Sequence, residues 1–167
     1  VPEYRTHKAS DGAEGTSPGL AVNTGPLYKL PFGQIFVRAV SSSAIGALQG
    51  ALDAYSDWCS QKVSVNDFSK SAEDPVAQSA ACDAALAIDE MKLALFRNFD
   101  DMMAALRAGK PLDMKDRIHW RTQSASVPDR CAGLVNRLFY SSGAHAMYRN
   151  ARITRYFLDI NCGRTHV

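Results

Sequence analysis

Four histidines give this chain its groups able to move a proton near neutral pH. Two of them stand where a ligand could meet them. His166 lies past Gly163, beyond the last helical stretch; its imidazole could donate or accept a proton near neutral pH, or be an exposed residue at a frayed end. His145 follows Ser141, Ser142, Gly143 and Ala144. Small residues let a planar ring or a phosphate approach the backbone, and a helix opening at His145 would favour an anion. The plain alternative is a turn with an exposed histidine. Arg117 and Arg121, four apart around His119 and Trp120, share a helical face that could meet a phosphate, a partner's acids or only water. Arg155 and Asp159 have the same spacing and opposite charge, an ion pair worth about a few tenths of a kcal/mol if exposed.

Other chemistries are excluded by spacing. Cys59, Cys82, Cys131 and Cys162 are too dispersed for a zinc site and read as small buried hydrophobes in a reducing cytoplasm. Asp83, Asp89, Glu90, Asp100 and Asp101 lack the Glu-x-x-His pairs of a di-iron bundle. No metal site is expected, and no phosphate-binding glycine loop, nucleophile elbow or metalloprotease signature is present.

The elements that position these residues follow from apolar spacing. Residues 1–31 hold Pro2, Pro18, Pro26 and Pro31 with four glycines, so they read as loop or short strand. A first helix is expected over residues 32–62, with Ile45, Leu48, Leu52, Tyr55 and Cys59 on one face. Gly46 and Gly50 weaken it by about 1 kcal/mol each, which suggests close approach of a neighbouring helix. Asp74 caps a second helix that opens at Pro75 and ends at Gly109. Its apolar face is wide: Ala85, Ile88, Lys92, Leu95, Phe99, Met102 and Leu106 form one stripe, and Leu86, Leu93, Phe96 and Met103 an adjacent one. Phe96, Phe99, Met102 and Met103 read as core. A third helix spans residues 113–140 with a break before Pro128, and a fourth spans residues 145–160. Short connections make neighbours antiparallel, so the expected fold is all-α: an antiparallel four-helix bundle after a short irregular or β segment.

Composition bounds the rest. In 167 residues, 46% are hydrophobic and 22% charged, as in a folded globular domain. A net charge of +2 with both signs interspersed argues against a nucleic-acid partner. No apolar run is read as approaching the roughly 20 residues that span a bilayer, and no signal peptide is read at the N-terminus, so a membrane partner is not expected. The abrupt opening and ending suggest part of a longer protein.

Several segments together resemble the C-terminal part of the acyl-CoA dehydrogenase superfamily, closest to its flavin-dependent monooxygenase branch, the oxygenase components of two-component aromatic hydroxylases. The opening Val1-Pro2-Glu3-Tyr4-Arg5-Thr6-His7 resembles the last strand of that family's middle β-domain. Asp74-Pro75-Val76-Ala77-Gln78 resembles a bundle-helix start, and Leu138-Phe139-Tyr140-Ser141-Ser142-Gly143-Ala144 the turn before the last long helix. Residues 148–166 match best, with Arg155, Asp159 and His166 at the family's spacing. Two positions depart from the pattern: Leu158 replaces a family arginine, and Cys59 stands where dehydrogenases carry an arginine that reaches a partner subunit's cofactor.

The resemblance implies an upstream β-domain ending within residues 1–31 and a bundle domain over residues 32–167. It implies a flavin-dependent monooxygenase subunit that takes reduced FMN or FAD from a separate flavin reductase and uses O2 to hydroxylate a small aromatic, phenolic substrate. Within it, His166 would be catalytic, beside the reactive edge of the flavin; Ser141, Ser142, Gly143, Ala144 and Arg121 would contact the cofactor. A cytoplasmic homotetramer is expected, consistent with the wide apolar face of the second helix. The alternatives are an acyl-CoA dehydrogenase, disfavoured by Cys59 and His166, and a non-enzymatic helical oligomerisation module.

Overall fold

The computed structural model describes residues 1–65 and 68–166, the side chain of His166 excepted. Its α-helices are α1 (Ala9–Glu14), α2 (Phe32–Gln61), α3 (Pro75–Arg107), α4 (Met114–Ala125), α5 (Val127–Ser141) and α6 (Arg152–Gly163). Among the described residues there is no strand, only an isolated antiparallel bridge between Val63 and Lys70. The strand expected at the opening is instead a 3-10 turn, Glu3–Arg5. A strand persists only with a hydrogen-bonded neighbour, and no described segment pairs with this one.

The chain divides into two compact units. One comprises residues 1–39 and 94–125, the other residues 40–93 and 126–167, so α2 and α3 contribute to both. The second unit packs four helices, parts of α2 and α3 with α5 and α6. Its pairings run in opposite directions along neighbouring helices. Lys92 on α3 reaches Gln49 on α2. Arg130 and Arg137 on α5 pair with Glu90 and Asp83 on α3. Asn161 on α6 donates to Asn136 on α5, and Phe157 stacks on Phe139. Between them lie Ile45, Leu48, Tyr55, Ile88, Met91, Val135, Leu138, Ile153 and Ile160, all buried. Ala51, Ala84 and Ala132, fully buried, allow the helices to approach closely.

The first unit has its own core of Leu30, Met102 and Trp120, packed by Phe99, Met103, Leu106 and Leu112. Buried Arg38 donates to the Gln34 carbonyl and lies 5.3 Å over the Phe99 ring. Gln34 Nε2 in turn donates to the Arg117 carbonyl at 3.0 Å, and Asn98 donates to Gln123 at 2.9 Å.

The helix ends follow the expected chemistry. Asp74 Oδ1 accepts the Val76 N–H at 2.9 Å, the N-cap of α3. Gly109, with φ +67°, closes α3 by the left-handed turn that glycine adopts without steric cost. The break before Pro128 is at Ser126, with Pro128 in the first turn of α5.

Four expectations need correction. The fourth helix opens at Arg152 rather than His145. Residues 143–147 form a 3-10 turn, and extended backbone at Tyr148 and Ala151 separates it from α6. The outer stripe of α3 is not core, for Leu86, Leu93 and Phe96 are exposed. Cys82 and Cys162 are exposed as well, and only Cys59 and Cys131 are buried. Finally, α2 carries an 18-residue window of mean hydropathy 1.3, enough by length and composition to cross a bilayer, with 33% of that window buried in the structure. Its buried positions, Ile45, Leu48, Ala51, Tyr55 and Cys59, fall on one face against the bundle.

Two outcomes follow from this packing. A Cβ at Gly50 would stand 2.5 Å from Tyr156 Cζ, whereas one at Gly46 meets nothing within 4 Å. Gly46→Ala should therefore stabilise by up to about 1 kcal/mol. Gly50→Ala should gain nothing or lose about 1–2 kcal/mol through overpacking. Urea melts of the two variants in parallel decide it; equal shifts would contradict the contact. Burial holds the Cys131 thiol up at about 12 and raises that of Cys59. A thiol reagent should label Cys82 and Cys162 in the native protein and Cys59 and Cys131 only after unfolding, as peptide mapping would show.

Candidate functional site

The α5–α6 connection, residues 142–151, is gripped by the last two turns of α2. Tyr55, 1% exposed, places its hydroxyl 2.8 Å from Ser141 Oγ and also hydrogen-bonds Cys59. One turn on, Trp58 stacks on His145, ring centroids 5.5 Å apart and planes 17° from parallel. Asp57 accepts from Arg152 Nη1 at 2.9 Å, at the start of α6. Thr154 Oγ1 adds a bond to the Ala146 carbonyl, 2.7 Å, which ties the 3-10 turn to α6. Burial pushes the Tyr55 phenol up to about 12, so it is neutral at ordinary pH, and its oxygen accepts from Ser141 Oγ.

Beside this grip opens a cavity of about 320 Å³ lined by Tyr55, Asp57, Trp58, His145, Asn150 and Arg152 among others. That is the small end of ligand pockets, which run from about 300 to 1,000 Å³. Its walls offer aromatic faces, two amides (Gln61 and Asn150) and an ion pair. It suits part of a planar, polar molecule rather than an apolar chain.

The residues singled out from sequence are placed as follows. Ser141, Ser142, Gly143 and Ala144 form the corner where α5 ends. Both serine hydroxyls are turned to the fold: Ser141 reaches Tyr55 and the Leu138 carbonyl, and Ser142 Oγ donates to the Leu138 carbonyl at 2.9 Å. Gly143 takes φ +61°, and a Cβ there would meet nothing within 4 Å. The backbone at Gly143 and exposed Ala144 is thus the part open to a ligand, while the serines hold the corner. Because His145 sits in a short 3-10 turn, no long helix dipole opens there for an anion.

Arg121 belongs to the other unit. Exposed on α4, its Nη1 lies 2.8 Å from where a Gly33 Cβ would stand. Its neighbour Arg117 donates to the Ala13 carbonyl at 3.1 Å. Arg155 and Asp159 on α6 make a 3.6 Å ion pair with side chains 85% and 60% exposed, a surface pair of small worth. The backbone of His166 ends a 3-10 turn after α6, and its side chain lies outside the described residues.

Sequence reasoning did not single out Trp58, Asp57 or Arg152. Trp58 falls three residues after Tyr55 on the buried face of α2, and an aromatic at that spacing reads equally well as core. Its partner is far along the chain, and nothing in the local pattern pairs them.

Residues 39–167 match the family described as acyl-CoA dehydrogenase, C-terminal domain. Over 167 residues the chain is 30% identical to the flavin-dependent monooxygenase, oxygenase subunit HsaA, of Rhodococcus jostii (strain RHA1), covering 99% of this chain and 44% of that protein. The crystal structure of the 3-HSA hydroxylase from Rhodococcus sp. RHA1 superposes with a TM-score of 0.90 at 31% identity, over 100% of this chain and 43% of that one. XiaF from Streptomyces sp., solved in complex with FADH2 and glycerol, gives a TM-score of 0.82 at 16% identity over 100% of this chain and 42% of that one, a likeness of fold alone. The chain thus spans less than half the length of the proteins it matches. The family match runs from Ala39 to the last residue, most of the chain, and the chain belongs to the acyl-CoA dehydrogenase C-terminal domain family.

Proposed function

We propose that this chain is the bundle portion of the oxygenase component of a two-component flavin-dependent monooxygenase. The observation that carries the reading is the likeness to one oxygenase subunit along 99% of the chain. The departure at position 59 favours this branch over a dehydrogenase: Cys59 is buried and bonded to Tyr55, where a dehydrogenase presents an arginine to its neighbour. In this reading residues 1–31 are the end of an upstream β-domain and its loop. The protein is cytoplasmic, receives reduced FMN or FAD from a separate flavin reductase, and hydroxylates a small aromatic, phenolic substrate with O2.

Reduced flavin, when bound, supplies the electrons and activates the oxygen. The chain's own part is to hold and polarise. The open backbone at Gly143 and Ala144 lies against the cofactor, with Ser141 and Ser142 fixing that corner from behind. Arg121 offers a cation to a cofactor phosphate. His166, carried by α6, donates a hydrogen bond to oxygen as negative charge develops there.

His166→Ala in the complete protein should leave the melting temperature nearly unchanged and lower hydroxylation, with reduced flavin spent on hydrogen peroxide instead. Loss of one preorganised donor costs up to about 10²–10³ in rate, and less where water can substitute. His166→Asn, whose amide still donates, should retain part of the activity. The ratio of product to peroxide reads the effect; wild-type coupling in the alanine variant would remove His166 from the mechanism.

The exposed stripe of Leu86, Leu93 and Phe96 leaves apolar surface on α3 that supports self-association. The complete protein should run as a tetramer by light scattering, and Leu93→Glu should shift it toward smaller species. A monomeric wild type would end the assembly reading.

A further inference from the structure

We infer that Tyr55 and Trp58 are positioning residues for the cofactor contact: they act through Ser141 and His145, setting where Gly143 and Ala144 stand. The inference rests on the flavin reading above. Its ground is that two turns of α2 hold both sides of the same corner. Tyr55 fixes the residue before it through Ser141, at 2.8 Å, and Trp58 fixes the residue after it by stacking on His145 at 5.5 Å. Gly143, between them, has φ +61°, and a Cβ there would meet nothing within 4 Å, so no neighbour packs against its outer side. Its flanks are what the fold uses to aim it.

The two grips are of different quality from the third. Asp57 and Arg152 are 64% and 62% exposed, so their ion pair is weak and screened by salt. Tyr55 is 1% exposed, and its bond to Ser141 joins two neutral groups, so it holds whatever the ionic strength. Ser141 has a second acceptor in the Leu138 carbonyl at 3.1 Å. Removing the phenol hydroxyl therefore leaves the serine satisfied and the helix end intact, and frees only the link from α2 to the corner. Tyr55→Phe is for this reason an informative substitution rather than an unfolding one.

The experiment uses the complete protein as wild type, Tyr55→Phe, Trp58→Ala and Trp58→Phe, with reduced FMN and reduced FAD as probes under anaerobic conditions. Hydrogen exchange reports the corner, and equilibrium titration reports flavin affinity. In Tyr55→Phe, exchange should quicken in residues 142–151 and not in the α2–α3 core. Affinity should fall roughly three- to tenfold, the scale of one lost hydrogen bond. Trp58→Ala should do the same or more, and Trp58→Phe, which keeps a stacking face, should recover most of it. A structural role alone would lower the melting temperature and leave affinity untouched. Faster exchange at the corner with wild-type affinity would overturn the inference while leaving the flavin reading intact; so would unchanged exchange. A wild-type protein that binds neither flavin would overturn both, and is told apart because it fails before any substitution is made.

Discussion

A phenol hydroxyl cut off from water must find a partner inside the protein, because an unmet hydrogen bond there costs about 1–3 kcal/mol. At Tyr55 that demand is met by Ser141 at the end of α5 and by Cys59 one turn along α2. Much of the second unit is arranged around the result. With the end of α5 fixed to α2, Leu138 and Val135 fall into the core, and the chain beyond Ser141 must turn where α2 can hold it. Trp58 and Asp57 take that place, so the start of α6 is set against the same two turns of α2 that end the bundle's first helix. The interaction that satisfies one buried oxygen thus also decides where a glycine-containing corner is offered to a ligand.

The two units solve their burial problems differently. In the bundle, fully buried alanines at 51, 84 and 132 bring the helices close, and aliphatic side chains fill the remainder, each fully buried one contributing about 1.5–3 kcal/mol. The other unit packs larger groups, Trp120 and Met102, and admits polar ones: Arg38, Gln34 and Asn98 are all buried and each has a hydrogen bond. Arg38 illustrates the cost. Burial holds its guanidinium down at about 10, still charged at neutral pH, with the Phe99 face and Gln34 oxygens as compensation.

The helices were legible because burial imposes a period of 3.6 residues. Ile45, Leu48, Leu52, Tyr55 and Cys59 share one face of α2, and all but half-buried Leu52 are buried there. The Asp74 cap, the Gly109 stop and the break before Pro128 were legible for the same reason, each being a local rule of backbone geometry. Periodicity reports apolar, not buried, which is why Leu86, Leu93 and Phe96 read as part of a core and stand in the open. The start of the last helix was missed because residues 144–147 are acceptable helix formers. The extended backbone at Tyr148 and Ala151, and the Thr154 bond back to Ala146, are tertiary facts with no local signature.

The candidate site shows the same division more sharply. Small residues at 141–144 read as a place where a ligand can meet backbone, since glycine and alanine leave the backbone uncovered. What aims the corner could not be read. Tyr55 and Ser141 are 86 residues apart and Asp57 and Arg152 are 95 apart. A tyrosine and a tryptophan three positions apart on an amphipathic helix carry no mark of whether they fill a core or grip a loop. The serines make the point in reverse. In sequence they are the hydroxyls of a binding turn; in the fold both are spent on the Leu138 carbonyl and Tyr55, and what is left facing outward is the backbone of Gly143 and Ala144. Residue types near a site therefore state what chemistry is possible, and the hydrogen bonds already satisfied within the fold decide which of those groups is free to perform it.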